Sequence, residues 1–358
     1  MIFSIVLSAA GLVAGWILFW RIPRIQPTSS IPTTASGADS ISLVIPARNE
    51  ENTLPLLLAS LKEQWPAEVI VVDDHSTDRT AELAAQAGAR VLRSAALPAG
   101  WTGKNFACAQ GAEAASQDWL LFVDADTMFE PAGLDRLRSL LAEENAEQTA
   151  FSLLPYHRTQ RPYEEFSLFF NLLMAAGAGG FGLFSSPYLF GQSLLISRKL
   201  YEASGGHTAV RGQILENFAL TQDVLDASGR CICFRGRGTL AMRMYSKGIG
   251  QLYEGWTKAF VAGAARSGSV TLLLSVLWLT ALFATFSWLI SGPKHTLAAV
   301  FYGALALQLA LVSRQIGSFR WYSFALYPIP LTFFFLLFGR ALLLRALGQK
   351  AVWSGRKL

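Results

Sequence analysis

The sequence predicts an α/β fold, a mostly parallel sheet with helices on both faces, flanked by transmembrane helices. Three observations predict it. From residue 41 onward, short apolar runs alternate with helix-like stretches, the spacing of a parallel sheet covered by helices. Each of the first four strand-like runs ends in a polar cluster. Uncharged apolar runs of membrane length lie at the two ends of the chain, outside the alternating region.

The ends come first. Of the 358 residues, 52% are hydrophobic and 15% charged, and the apolar excess is localised. Residues 2–20, IFSIVLSAAGLVAGWILFW, carry no charge, and Arg21 and Arg24 follow. A cleaved signal would start basic and end in a small-residue cleavage site. The pattern reads instead as an N-terminal transmembrane anchor, residues 1–22, with its basic end in the cytoplasm. A polar linker follows over 23–40. Apolar runs near 269–291, 296–312 and 323–345 make 266–345 a set of C-terminal membrane segments. Pro328 and Pro330 make the last run suspect, because each removes a helix donor. Arg345, Lys350, Arg356 and Lys357 make a basic tail, 346–358 with its preceding arginine, which favours the cytoplasm. Three full spans after a cytoplasmic domain would leave that tail outside, so the parity stays open. The expectation is about four membrane segments in an inner or plasma membrane, with the central domain facing the cytoplasm.

Formal net charge is +5. Much of the surplus sits at membrane edges, which points to anionic membrane lipids rather than nucleic acid as the partner. Cys108, Cys231 and Cys233 have no zinc spacing and give no disulfide framework, which fits a reduced compartment.

The central domain, 41–265, reads element by element. ISLVIPA (41–47) is a buried strand, followed by a helix from about Glu50 to Gln64 with Asn49 as cap. EVIVVDD (68–74) is the second strand, and Ser76 or Thr77 caps a helix over roughly 78–87. ARVLR (89–93) is the third strand. PAGWTGK (98–104) leads into an Ala-rich helix, and WLLFVDA (119–125) is the fourth strand. In such sheets ligands bind beyond the carboxyl ends of the strands. The clusters RNEE, DDHSTD, PAGWTGK and DADT all belong at that edge.

Within the clusters, Asp73 and Asp74 either end a strand or face a ligand. Lys104, near a helix start, is either a surface lysine or a phosphate contact. Asp124 and Asp126 are more pointed. Strand alternation puts both on one face, and two carboxylates that close repel unless a cation or donor lies between them. Mg²⁺ or Mn²⁺ is often held by one or two carboxylates together with substrate phosphates. The competing reading is a turn cap.

PARNEE, VVDDHSTDRT, GWTGKNFACAQG and VDADT, in this order and spacing, resemble the nucleotide-sugar domain of family 2 glycosyltransferases. GQSLLISRKLYEASGGH (191–207) and GIGQLYEGWTKAF (248–260) fit the same pattern. The flanking apolar segments and the tail VWSGRKL resemble the branch with carotenoid- and hopanoid-type lipid glycosyltransferases. The resemblance implies a GT-A nucleotide-sugar-binding domain and an inverting transfer from a nucleotide-sugar donor to a lipid-like acceptor. It implies that Ala47, Glu50, Asp73 or Asp74, and Asp124 line the nucleotide-sugar pocket and that Lys104 reaches the nucleotide or its diphosphate. It further implies a divalent metal, Mn²⁺ or Mg²⁺, at Asp124 and Asp126, with Asp126 the direct ligand.

One position departs from the family pattern. Where relatives carry Glu-Asp with the Asp as general base, this chain has Glu216 followed by Asn217. Asn cannot take a proton at neutral pH. Either Glu216 is the base, or the acceptor is a carboxylic acid that needs none, or activity is lost. His207 is read as a further metal or diphosphate contact, or as a plain loop residue. Gln251 and Trp256 resemble a reduced acceptor-side motif, while Trp256 also suits an interfacial anchor. Residues 166–191, apolar and Gly-rich, are expected as an interfacial element that admits a lipid acceptor. The reading is a metal-dependent membrane hexosyltransferase, with UDP-glucose the first donor to consider. A polyprenyl-phosphate or processive glycosyltransferase and a degenerate nucleotide-sugar binder are the alternatives.

Overall fold

The structure is a computed structural model and describes residues 1–26, 40–61, 63–213, 216–263, 268–347, 352–353 and 356–357. Most of the linker expected at 23–40, and about half of the tail at 346–358, lie outside the described residues. The chain divides into two compact units, Pro23–Tyr156 with Pro187–Met242, and Met1–Ile22 with His157–Ser186 and Arg243–Leu358. This differs from the single block expected at 41–265. The segment 157–186 and everything after Met242 group with the apolar helices.

In chain order, helix α1 (Ile2–Leu18) belongs to the helical unit and strand β1 (Ile41–Ala47) opens the α/β unit. There follow α2 (Leu54–Ser60), β2 (Glu68–Asp73), α3 (Thr80–Gln86), β3 (Arg90–Arg93), α4 (Gly103–Ala114), β4 (Trp119–Val123), β5 (Thr127–Phe129), α5 (Gly133–Ser139) and β6 (Thr149–Leu154). The chain leaves this unit at β7 (Tyr156–His157), and α6 (Leu168–Ala178) lies in the helical unit. It returns through β8 (Ser193–Ser197), α7 (Arg198–Ala203), α8 (Gly206–Ala209), α9 (Glu216–Asp226), β9 (Arg230–Arg235) and β10 (Leu240–Met242). The remaining helices are α10 (Ile249–Gly263), α11 (Ser269–Ser291), α12 (His295–Ile316), α13 (Trp321–Ala325) and α14 (Pro328–Ala346).

Among the described residues, seven strands form one sheet in the order β3-β2-β1-β4-β8-β6-β9. The pairs β3–β2, β2–β1, β1–β4 and β6–β9 are parallel, and only β8 runs antiparallel to its neighbours. The period-two alternation of each strand feeds two cores. Leu43, Ile45, Val71, Leu121 and Val123 pack on one face with Leu57 and Leu58 of α2 and Leu134 and Leu137 of α5. Val44, Ile70, Val72, Leu120 and Phe122 pack on the other with Ala107 and Cys108 of α4 and Leu220 and Val224 of α9. The expected fold class therefore holds: a mostly parallel sheet with helices on both faces. Because β2 and β4 flank β1 and all three run the same way, their carboxyl ends and the loops that follow come together at one edge.

The early helices are shorter than the sequence predicts. Asn49 adopts φ 57°, a left-handed conformation that starts a turn rather than a helix. Pro55 sits in the first turn of α2, where its missing N–H costs nothing. Asn49 does not cap that helix; its Oδ1 instead accepts from the Thr77 N–H at 2.8 Å. Ser76 does not cap α3 either; its hydroxyl accepts from the Asn49 N–H at 3.0 Å, and Asp78 accepts from the Thr80 N–H at 3.0 Å. The first two polar clusters thus fasten to each other.

In the helical unit, α11 and α12 are long and apolar enough to cross a membrane, by length and composition, while Ile2–Leu18 and Pro328–Leu344 are shorter apolar helices. Pro328 and Pro330 do not break the last run. They open α14, where helix donors have no partner anyway. α1 lies against α11 along its small residues. A Cβ on Gly11 would sit 2.1 Å from the Ala281 Cβ, and Ser8 and Thr285 share a hydrogen bond of 2.7 Å. Gln308 of α12 accepts from the Trp278 indole at 3.0 Å and donates to the Leu12 carbonyl at 2.8 Å, so its buried amide is satisfied on both sides.

Within residues 166–191, expected as an interfacial element, helix α6 is largely covered by the protein itself. Phe169, Phe170, Leu172 and Ala175 of α6 are fully buried, while Leu183, Phe184 and Ser186, beyond the helix, are exposed. Trp256 is fully buried too. Its indole donates to the Ser167 hydroxyl at 3.0 Å and its ring stacks on Phe170 at 4.8 Å. It holds α10 in the helical core, and is not an interfacial anchor. Gln251 accepts from the Lys247 N–H at 3.0 Å, closing the first turn of the same helix.

Candidate active site

The site lies at the carboxyl edge of the sheet, within the α/β unit. β1 ends at Ala47, whose carbonyl accepts from the Asp74 N–H at 2.9 Å. β2 ends at Asp73, whose carboxylate accepts from the Ser76 N–H at 3.1 Å and so shapes the turn. Asp74 is held by Arg48 at 3.2 Å. A Cβ on residue 103 would come within 2.5 Å of the Asp74 carboxylate, so a larger residue there would push that side chain aside. Thr102 caps α4, accepting from the Asn105 N–H at 3.3 Å. The Asn105 amide reaches the carbonyls of Val210, Arg211 and Gln213, which fixes the start of α4 against the segment before α9.

These anchors place Lys104. Its ammonium is 2.7 Å from Asp124 Oδ1, 2.7 Å from Glu216 Oε1 and 2.8 Å from the Gly191 carbonyl. Burial opposes the charge, but the carboxylates of Asp124 and Glu216 outweigh it and hold the amine well above the ordinary lysine range. Asp124 follows the last residue of β4. Its N–H donates to the Gln192 carbonyl at 3.2 Å and its own carbonyl accepts from Thr127 at 3.1 Å. The strand therefore stops immediately before the pair, and a turn, not strand alternation, presents Asp124 and Asp126. Burial pushes the Asp126 carboxyl up to about 7, with the Asp124 and Glu50 carboxylates adding to it. Glu50 accepts from the Thr53 hydroxyl.

A small cavity opens here, with Lys104, Asp124, Gly191, His207, Glu216 and Asn217 in its wall, backed by Pro46, Cys108 and Phe122. Asn217 is buried, and its amide donates to the Phe190 carbonyl at 2.6 Å. His207 is buried between Phe122 and Tyr201, with Nδ1 2.9 Å from the tyrosine hydroxyl. Burial pushes its imidazole down to about 3, and the Lys104 charge adds to that. Burial likewise keeps the Cys108 thiol protonated.

The structure thus brings together Lys104, Asp124, His207, Glu216 and Asn217, with Asp126 and Glu50 beside them. Ala47, Asp73 and Asp74 shape the loops of the same edge. Gln251 and Trp256 belong to the helical unit and take structural contacts there. Sequence reasoning missed Gly191, whose carbonyl carries no signature. It also missed Cys108, one helical turn beyond Lys104, which that spacing would have found.

Among the described residues, no group of three or more His, Cys, Asp or Glu side chains is arranged to hold a metal ion. This does not support His207 as a ligand alongside Asp124 and Asp126. Two carboxylates are nonetheless what Mg²⁺ or Mn²⁺ takes from a protein when phosphate oxygens and water complete the shell. Asp124 and Asp126 fit such an ion together with a diphosphate, and not as a closed protein cage.

The chain resembles known proteins over most of its length. Residues 42–218 match the model of glycosyl transferase family 2. The 4,4'-diaponeurosporenoate glycosyltransferase of Staphylococcus haemolyticus is 33% identical over 291 residues, 79% of this chain and 76% of that protein. Its counterpart in Staphylococcus aureus strain USA300 is 33% identical over 312 residues, 84% of this chain and 83% of that one. Among solved structures, Mycobacterium tuberculosis glucosyl-3-phosphoglycerate synthase, in complex with Mn²⁺, uridine diphosphate and glucosyl-3-phosphoglycerate, superposes with a TM-score of 0.46. The identity is 22%, over 68% of this chain and 86% of that one. With a third of the aligned residues identical to the two staphylococcal proteins over most of its length, the chain belongs to the family 2 glycosyltransferases.

Proposed function

We propose that this protein transfers a hexose, with glucose from UDP-glucose as first candidate, to the carboxyl group of an apolar, carotenoid-type acceptor at a membrane. The observation that carries the acceptor assignment is the pairing in the cavity wall. Asn217 is an amide bound to the Phe190 carbonyl, and the Glu216 carboxylate is tied to Lys104. Cys108 is protonated and the His207 Nδ1 is engaged by Tyr201. A hydroxyl acceptor needs a base to take its proton; a carboxylic acid is already ionised at neutral pH. Two relatives whose names specify a carotenoid acid as acceptor support the same reading.

The step balances without a proton. One acceptor carboxylate oxygen forms a bond to the anomeric carbon from the face opposite the diphosphate. The bond from that carbon to the diphosphate breaks, and its electron pair leaves with the phosphate, so configuration inverts. Asp124 and Asp126 would hold Mg²⁺ or Mn²⁺, which stabilises charge on the leaving group. Holding donor and acceptor in one cleft lowers the entropic barrier. The apolar helices and the arginines after α1 fit a membrane protein whose α/β unit faces the cytoplasm.

The test is turnover. Purified protein in lipid is given labelled nucleotide sugars in turn, Mn²⁺ and a carotenoid-acid extract, with Asp126→Ala as control. The expected product is the acceptor plus one hexose, released by mild alkali as an ester is. An alkali-stable product would overturn the carboxylate assignment, and binding without turnover on any donor would favour a degenerate site.

A further inference from the structure

Lys104 has three N–H donors, and three oxygens surround it: Asp124 Oδ1, Glu216 Oε1 and the Gly191 carbonyl, at 2.7, 2.7 and 2.8 Å. Every donor is engaged. A lysine so held is not free to reach a diphosphate; it must first let go. One of its three partners is also the first carboxylate of the pair that fits a divalent cation.

An ion on the same Asp124 oxygen would lie at most about 5 Å from the ammonium, adding a metal–oxygen distance to the hydrogen bond. Both charges are positive, and Asp124 is only 27% exposed, so water screens the repulsion poorly. Lys104 and the cation are therefore rivals for Asp124. The protein side supplies too few ligands for the ion alone, as the absence of a three-residue cluster among the described residues indicates. A diphosphate answers both difficulties. It brings the oxygens the ion lacks, and it offers the ammonium an anionic partner to replace Asp124.

We propose that Lys104 is a positioning residue that makes cation binding conditional on the nucleotide: it competes with the ion for Asp124 and yields only when a diphosphate is present to receive it. The inference rests on reading this cleft as a nucleotide-sugar site. By linkage the effect is mutual, so the ion strengthens nucleotide binding by the factor by which nucleotide strengthens ion binding. Only the Asp124 contact is exchanged; the Glu216 and Gly191 contacts remain, so Glu216 stays paired while the donor is bound. A static strut would behave differently, because it would leave ion affinity indifferent to the nucleotide.

The experiment measures Mn²⁺ binding by electron paramagnetic resonance on the full chain in detergent, alone and with UDP, GDP or TDP. Wild type should bind Mn²⁺ at least tenfold more tightly with its nucleotide than without. Lys104→Gln should bind Mn²⁺ at least tenfold more tightly than wild type in the absence of nucleotide, with the nucleotide effect reduced by the same factor. Lys104→Arg, which keeps the charge, should behave as wild type. Equal affinity with and without nucleotide in wild type overturns the proposal even if Lys104→Gln fails to fold. A Lys104→Gln protein that folds but shows unchanged nucleotide-free affinity overturns it as well. If no protein binds Mn²⁺ with any of the three nucleotides, the nucleotide-sugar reading itself falls, and the proposal with it.

Discussion

The carboxylate of Glu216 ends 2.7 Å from the ammonium of Lys104, joining the first residue of α9 to the first turn of α4. One oxygen of that carboxylate is occupied by the ammonium and is not turned to an acceptor. Glu216→Gln should accordingly lower transfer to a carboxylic acceptor by less than about tenfold, where loss of a true general base costs about 10²–10⁴-fold. Initial rates with saturating donor check this. A loss of 10²-fold or more on the acid would make Glu216 the base.

Asn217→Asp should restore an acid where relatives place their base. The new carboxylate would lose the amide's bond to the Phe190 carbonyl and face that oxygen instead. The expected outcome is lower stability, by about 1–3 kcal/mol for the unsatisfied buried group, together with new activity on hydroxyl acceptors. Urea denaturation and a hydroxyl-lipid assay report the two effects separately.

How far the sequence reached can be told from individual residues. Strand period and strand-end polarity located β1, β2 and β4 and hence the edge where Lys104, Asp124 and Glu216 meet, because burial on both faces demands apolar runs. Local signals misjudged Asn49 and Ser76, whose side chains fasten one loop to another across the sheet edge; capping rules see only the residue's own helix. They also misplaced 157–186. Leu168–Ala178 is apolar except for Asn171, a pattern shared by a buried helix and an interfacial one, and only its partners decide between them. Gly191 and Phe190 act through their carbonyls, which leave no trace in residue type.

His157 gives a pH prediction. It is fully buried, Nδ1 lies 2.8 Å from the Asn171 amide, and burial pushes its imidazole down to about 4. The unfolded value is higher, near 6.5, so protons favour the unfolded chain. Stability is full above pH 6.5 and falls as pH drops from 6.5 toward 4, by roughly 3 kcal/mol at most. Denaturation at pH 7 and pH 5 should differ in wild type, and His157→Gln should flatten the difference. An unchanged slope in the variant would refute the assignment.

Glu164 adds a second, lower window. Burial alone would raise its carboxyl, but Arg243, with contacts of 2.7 and 3.2 Å, and the N–H groups of Gln160 and Arg161 bring it below 4.5. A lowered carboxylate stabilises above its unfolded value, and that contribution is lost as pH falls through the folded one. Glu164→Ala should cost about 3 kcal/mol by leaving Arg243 unpaired, read by the urea midpoint at pH 7.

The seat of α1 is testable by cross-linking. Ser8 and Thr285 touch at 2.7 Å, so Ser8→Cys with Thr285→Cys should form a disulfide on mild oxidation. Adding Gly11→Leu should abolish it, because a side chain at residue 11 runs into Ala281. Persistence of the cross-link would mean α1 is seated elsewhere.

The most direct measurement offers the wild-type protein one carotenoid in two forms, terminal acid and terminal alcohol, with the same nucleotide sugar and Mn²⁺. The account predicts a hexosyl ester of the acid, formed at least about 10²-fold faster than any glycoside of the alcohol, the rate that general-base help would supply. Equal rates, or transfer to the alcohol alone, would contradict it.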